Sequence, residues 1–250
     1  MAFLSTKTGQ FTYFSTQLGQ GDWRGKDVLD FGGNIGNMLH DPNSTIDEER
    51  YWCIDVVRES IEKGKEAFAK AHWVFYDRYC FFFNPQGISQ LKLPELEQSF
   101  DYIVAYSVFT NTSRTDMLDL VQQLTQRLND GGALAFTFID PHHVSWPGRY
   151  HGNNLRWRLE REIFLEQEKG NALEIDVDGM CLRAREAPWF VLVNGEDLYL
   201  ETDETKTYEP DRQRTFHTFY SVEYITELFP EAKILPPVND EMQHCCVIRK

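Results

Sequence analysis

Val28-Leu29-Asp30-Phe31-Gly32-Gly33-Asn34-Ile35-Gly36-Asn37 is an apolar run that stops on an acid and passes into a loop of glycines and asparagines. Bounded in this way, the apolar residues read as a short buried strand followed by a turn. Glycine, and to a lesser degree asparagine, accepts positive φ, so the loop can bring bare backbone against a ligand. A helix starting after it would aim its unpaired N–H groups at the same ligand.

The pattern repeats outward from that stretch. Tyr51-Trp52-Cys53-Ile54-Asp55 reads as a second strand, again ending on an acid, 25 residues after Asp30. Trp73-Val74-Phe75-Tyr76, ending before Asp77, reads as a third, Asp101 to Tyr106 as a fourth and Ala133 to Ile139 as a fifth. Between the second and third, Val57 to Lys70 carries Ile61, Ala67 and Phe68 at helical spacing. Between the fourth and fifth, Ser113-Arg114-Thr115-Asp116 is a helix start of capping-box type. Met117, Leu120, Val121, Leu124 and Leu128 then form one apolar face, and Asn129-Asp130-Gly131-Gly132 stops the helix. Short strands alternating with amphipathic helices predict βαβ units around a mostly parallel sheet with helices on both faces.

After Asp140 the alternation breaks. About seventy residues follow with Pro, His, Trp and Arg in loops, a helical piece near Leu155 to Glu168, and strand-like stretches near Ala172 to Ile175 and Trp189 to Leu200. Regularity returns with a helix over Ser221 to Phe229, ending at Pro230, and two closing strands, Ala232 to Leu235 and His244 to Ile248. The chain therefore divides into residues 1–140 with 216–250, an α/β domain with a seven-stranded sheet, and 141–215, an α+β insertion after the fifth strand that would cap a substrate. Phe11-Thr12-Tyr13-Phe14 is too aromatic for a free tail; it folds over the ligand as a lid or packs on the sheet edge.

Charge narrows the partners. With 25 Lys+Arg against 39 Asp+Glu, a formal net charge of -14 would repel a phosphate backbone, so nucleic acid is not expected. No run approaches membrane-spanning length, and the first twenty residues lack the basic-then-apolar pattern of a signal peptide. The five cysteines form no CxxC pair and are expected as reduced, buried thiols in a cytoplasmic protein, with no metal bound. Cys245 and Cys246, neighbours in a strand, should point to opposite faces.

In an open α/β sheet the ligand lies beyond the carboxyl ends of the strands. There Asp30, Asp55 and Asp77 surround one glycine loop, which suits a nucleoside with cationic and neutral donors better than one with phosphates. The G-x-G-x-x-G dinucleotide pattern fails, because Asn34 and Asn37 take its second and third glycine positions counted from Gly32, and no G-x-x-x-x-G-K-[ST] phosphate loop is present.

Asp30-Phe31-Gly32-Gly33-Asn34-Ile35-Gly36 resembles the first motif, D/E-x-G-x-G-x-G, of class I S-adenosylmethionine-dependent methyltransferases, with Asn34 at the middle glycine. Cys53-Ile54-Asp55 resembles the family's second motif, Tyr76-Asp77-Arg78 its adenine-contacting position, and Tyr106-Ser107-Val108-Phe109-Thr110 its fourth-strand motif. The resemblance spans about residues 24–140 and resumes near 219–250. It implies a Rossmann-like fold, S-adenosylmethionine as cofactor and S-adenosylhomocysteine as product. It also implies that Gly32, Gly33, Asn34 and Gly36 wrap the methionine part, Asp30 bears on its amino group, and Asp55, with Val56 beside it, holds the ribose. Asp77 and Arg78 would meet the adenine, and Tyr106 and Ser107 would line the junction with the acceptor. Asn111 stands where many such sequences carry a His after Phe-Thr, so no base role is transferred to it.

The expected reaction is methyl transfer to an oxygen or nitrogen of a small molecule by in-line displacement. A nucleotide-binding protein that is not an enzyme, or an enzyme using the sulfonium for other chemistry, is the alternative. If a base is needed, His142 and His143 beyond the fifth strand are candidates. Tyr13, Tyr150, Trp157 and His217 are candidate acceptor contacts. Arg149, Arg156, Arg158 and Arg161 crowd around one glutamate, Glu160, and read either as a site for an anionic acceptor or as partners of nearby acids such as Glu162 and Glu166.

Overall fold

The structure is a computed structural model and describes residues 9–144, 153–170, 175–194, 198–201, 215–238 and 242–250. The strand-like stretch expected at 172–175 lies, but for Ile175, outside these residues, as do Tyr150, Arg149 and Trp146.

Seven strands form the main sheet: β1 (Val28–Phe31), β2 (Tyr51–Asp55), β3 (His72–Phe75), β4 (Phe100–Ala105), β5 (Leu128–Phe138), β9 (Lys233–Leu235) and β10 (His244–Arg249), in the order β3-β2-β1-β4-β5-β10-β9. The first five pair in parallel, and β10 runs antiparallel to both β5 and β9. The order reverses at β1, between β2 and β4, which opens a crevice at the carboxyl ends of those strands.

Helices cover both faces. On one, α1 (Gln10–Leu18) and α2 (Arg58–Ala67) bury Phe11, Phe14 and Ile61 against Val28, Cys53 and Val104. On the other, α3 (Arg114–Thr125) and α6 (Val222–Leu228) bury Met117, Leu120, Leu124 and Ile225 against Leu29, Ile54 and Phe136. Alternate residues of one strand serve the two layers, so Cys245 falls in the first cluster and Cys246 in the second. All five cysteines are free thiols, and burial pushes Cys245 up to about 12.

The expected helix after the glycine loop does not form. Gly36 accepts at its carbonyl from both Leu39 and His40, and the chain passes through consecutive turns to β2. Asn34 at φ 55 and Gly36 at φ 88 lie in the left-handed region, which breaks any right-handed run. Leu128, expected on the helix face, instead begins β5. That strand runs through Gly131 and Gly132 with a register shift against Phe100 and Tyr102, where a residue at position 132 with a Cβ would meet the Phe100 carbonyl at 2.9 Å.

Beyond β5, the chain forms α4 (Asn154–Glu168), α5 (Val177–Ala184) and a three-stranded antiparallel sheet in the order β7-β6-β8, from β6 (Trp189–Asn194), β7 (Leu198–Glu201) and β8 (Thr215–Tyr220). α5 and β8 were not expected from the sequence. Leu155 and Leu159 of α4 pack on Phe190, Leu192 and Phe219, giving this segment an apolar core of its own. Asn153 and Asp176 cap the two helices by accepting from the Arg156 and Gly179 amides.

Candidate functional site

A cavity of about 330 Å³ opens at the carboxyl ends of β1, β2 and β4. Gly32 and Asn34 of the glycine loop form one side, Asp55 and Val56 the next, and Tyr106 and Ser107 the third. These are the neighbours set by the switch in strand order, and the sequence alone placed them at strand ends.

Asp55 ties the wall together. Its Oδ2 accepts from the Asn34 amide and its Oδ1 from the Val57 amide, each at 2.8 Å. A carboxylate has about four acceptor positions, so each oxygen keeps a lone pair for a hydroxyl. Burial raises the Asp55 carboxyl above its ordinary range, while the Val57, Asn34 and Val56 amides pull the other way. A ligand donating to this carboxylate would favour its ionised form.

Asp30 is placed differently. It does not line the cavity; it is 1% exposed, beneath the loop, and accepts from the Tyr51 hydroxyl at 2.5 Å. A Cβ on residue 33 would lie 2.5 Å from the Asp30 Cγ, so Gly33 is the gap through which loop and carboxyl touch. Burial pushes Asp30 up to about 7 against the pull of Tyr51, and the Asp55 charge adds to the rise. Gly33 and Gly36 also stay off the cavity wall, Gly36 lying against the Trp73 ring.

Asp77 is exposed, does not line the cavity, and accepts from the Asn84 side-chain amide at 3.0 Å. Arg78 does line it, but its guanidinium, with a side chain 4% exposed, is held by Asp116 and by Asp119, the latter at 3.1 Å. Asp116, in the first turn of α3, is the acid on that wall. Among the described residues, Arg78 is the one Lys or Arg lining the cavity and two acids neutralise it, so these residues offer no free cation to a phosphate. Phe31, Tyr76, Phe81, Phe83 and Tyr106 give it aromatic faces.

A polar chain supports the β4 end. The Ser107 amide donates to Thr137 Oγ1 at 2.7 Å, Thr137 donates to Gln243 Oε1 at 2.6 Å, and Gln243 Nε2 donates to Ser107 Oγ at 3.2 Å. Ser107 itself sits at φ 58, outside the usual regions for a residue with a side chain. Tyr13 joins from α1: its hydroxyl donates to the Gln243 carbonyl at 3.3 Å and its ring meets Tyr106 edge-on at 5.4 Å. It thus stands behind the cavity wall, while Gln10 of the same helix reaches the cavity.

The histidines lie elsewhere. The His142 amide donates to Asp140 Oδ1 at 2.8 Å, and the His143 ring meets the His244 ring at 4.9 Å; neither lines the cavity. His217 on β8 and Trp157 on α4 belong to the smaller unit and are also off its wall. Among the described residues, no three of His, Cys, Asp and Glu gather as metal ligands, and no helix is long and apolar enough to cross a membrane.

Sequence reasoning missed Gln10, Cys80, Phe81, Phe83, Ser113 and Asp116 as wall residues, and Thr137 and Gln243 behind them. Thr137 had a signal, a lone polar residue inside the apolar run Ala133 to Ile139. Gln10 and Gln243 had none, because their neighbours at the site come from distant parts of the chain.

Residues 29–134, which carry the glycine loop and four of the strand ends, match the family model of a methyltransferase domain. Over that stretch the chain is similar to methyltransferase domains. Its fold is shared over nearly the whole chain by solved structures of low identity. An S-adenosylmethionine-dependent methyltransferase from Clostridium acetobutylicum ATCC 824 is 11% identical, with 99% of this chain and 93% of that chain covered and a TM-score of 0.52. The PH0226 protein from Pyrococcus horikoshii OT3 is 10% identical, with 96% and 88% covered and a TM-score of 0.52. The glycopeptide N-methyltransferase MtfA, crystallised with (S)-adenosyl-L-methionine, is 10% identical, with 99% and 96% covered and a TM-score of 0.50. These likenesses extend past the methyltransferase domain into the segment after β5.

Proposed function

We propose that the methyltransferase domain binds S-adenosylmethionine in this cavity and moves its methyl group to an oxygen or nitrogen of a small-molecule acceptor, releasing S-adenosylhomocysteine. One observation carries the reading: the Asp55 carboxyl at the cavity wall, anchored to the glycine loop and with acceptor capacity left for a ribose diol. The ion-paired Arg78 and the aromatic walls agree with a cationic sulfonium ligand rather than a dinucleotide.

In the transfer, a lone pair of the acceptor forms the new bond to the methyl carbon as the sulfur–methyl bond breaks, and that bond's electrons return to sulfur. Alignment and exclusion of water supply the rate. Gly32 and Asn34 hold the methionine part, Asp55 and Val56 the ribose, and Tyr106 and Ser107 flank the reacting atoms. An acceptor that binds deprotonated needs no base, and His142 and His143, off the cavity wall, take no part in proton transfer. Segment 141–215 serves as the acceptor cap.

Calorimetric titration with S-adenosylhomocysteine, NAD and ATP tests this. Selective binding of the first, weakened about tenfold or more in Asp55→Ala through loss of charge-assisted hydrogen bonds, is expected. A preference for NAD or ATP, or no binding, would overturn it.

A further inference from the structure

Gln10 opens α1, is 6% exposed and lines the cavity. Its side-chain amide has no hydrogen-bond partner among the described residues. On the same wall Asp55 is held by two backbone amides, Arg78 by Asp116 and Asp119, and Ser107 by Gln243 and Thr110. A buried primary amide has two donors and one carbonyl acceptor to satisfy, and leaving them unmet costs stability unless something in the cavity takes them.

Neighbouring contacts fix where on the wall this amide stands. Tyr13 and Phe14 follow Gln10 by three and four positions and share its face of α1. Their rings meet the Tyr106 ring edge-on at 5.4 and 6.1 Å, which sets Gln10 beside the end of β4. From Asp55 the wall passes to Asn34, whose amide donates to the carboxylate, and then to Gly32, where an added Cβ would lie 2.5 Å from the Val108 side chain. It continues through Ser107 to Tyr106, so Gln10 is at the far end of this chain of contacts from Asp55.

We propose that the Gln10 side-chain amide donates to the α-carboxylate of the cofactor's methionine part. This rests on the cofactor reading above: with the ribose on Asp55 and the sulfur by Ser107 and Tyr106, the methionine end falls toward Gln10. Arg78 is committed to Asp116 and Asp119, so among the described residues the cavity meets a carboxylate with neutral donors only. Gln10 also sits at the N-terminus of α1, the positive end of its dipole, where no side chain caps the helix. Asp41 takes the Thr12 amide of that turn at 2.8 Å, and its charge is shared with the Thr12 hydroxyl and the Asn43 amide at 3.2 and 3.0 Å.

The test is calorimetric titration of the full chain with S-adenosylhomocysteine and with its decarboxylated analogue, which keeps the adenosine, the sulfur and the amine. Gln10→Met should weaken S-adenosylhomocysteine about tenfold, as loss of a hydrogen bond to a charged group implies, and leave the analogue unchanged. Gln10→Glu, of the same shape, should weaken S-adenosylhomocysteine further through like-charge repulsion and bind the analogue at least as tightly as the parent does. Unchanged analogue binding also shows that each variant is folded. Equal loss of both ligands in Gln10→Met, no loss of either, or S-adenosylhomocysteine bound as well by Gln10→Glu as by the parent overturns the assignment and leaves the cofactor reading standing. A parent chain that binds neither ligand overturns both.

Discussion

Replacing Asp30 by asparagine should stabilise the protein at alkaline pH and leave it nearly unchanged at acid pH. The carboxyl is fully enclosed, with the Tyr51 hydroxyl 2.5 Å away, and burial lifts it from 3.8 to about 7 in the folded state. Between those values the folded protein holds a proton that the unfolded chain has released, so this group's contribution falls as pH rises through the folded pKa. A shift of this size is worth about 4 kcal/mol over the full range, of which about 2 kcal/mol is lost between about pH 5.5 and 8.5. Asparagine keeps an acceptor for Tyr51 and has no proton to lose. Urea unfolding of both proteins across that range, followed by tryptophan fluorescence, isolates Asp30 because other titrating groups largely cancel in the difference. The variant should gain on the parent by about 2 kcal/mol from the acid to the alkaline end. A constant difference, or a gain in the opposite direction, would refute the placement of Asp30 as a buried, proton-holding group.

Gln243→Leu removes the acceptor of the Thr137 hydroxyl and one donor to the Ser107 hydroxyl, and should cost about 1–3 kcal/mol. Adding Thr137→Val to it should then cost less than Thr137→Val alone; strictly additive costs in denaturation would show that the chain does not act as a unit. Gly64→Ala should destabilise despite the better helix propensity of alanine, since the new Cβ would lie 2.1 Å from the Trp73 ring. A loss of about 1–3 kcal/mol is expected for such overpacking, and a gain of about 1 kcal/mol, as propensity alone predicts, would contradict it.

Much of the domain was legible because its signals are local. Apolar runs of strand length and the helical spacing in α2 and α3 report which residues face a core, whatever the partner. Asp30 and Asp55 were found at strand ends, yet only the folded chain separates them, one beneath the loop and one on the wall. Asp77 turns outward to Asn84, while Asp116 of α3, 39 positions later in the chain, lines the cavity, an exchange no spacing carries. β8 escaped notice because Thr215–Tyr220 has no clean alternation and pairs with β6 at its edge of the small sheet.

The sequence by itself determined the α/β class, the existence of the seven strands of the main sheet, the permissive glycine loop and the excess of acids that makes a phosphate ligand unfavourable, all properties of neighbouring residues or of composition. Only the tertiary structure decided that Arg156 of α4 pairs with Asp178 of α5, and that Gln243 reaches Ser107 across 136 positions. Those pairings depend on loop closure and on the packing of whole layers, and a side chain's partner is set by distance in space, which residue type and periodicity do not encode.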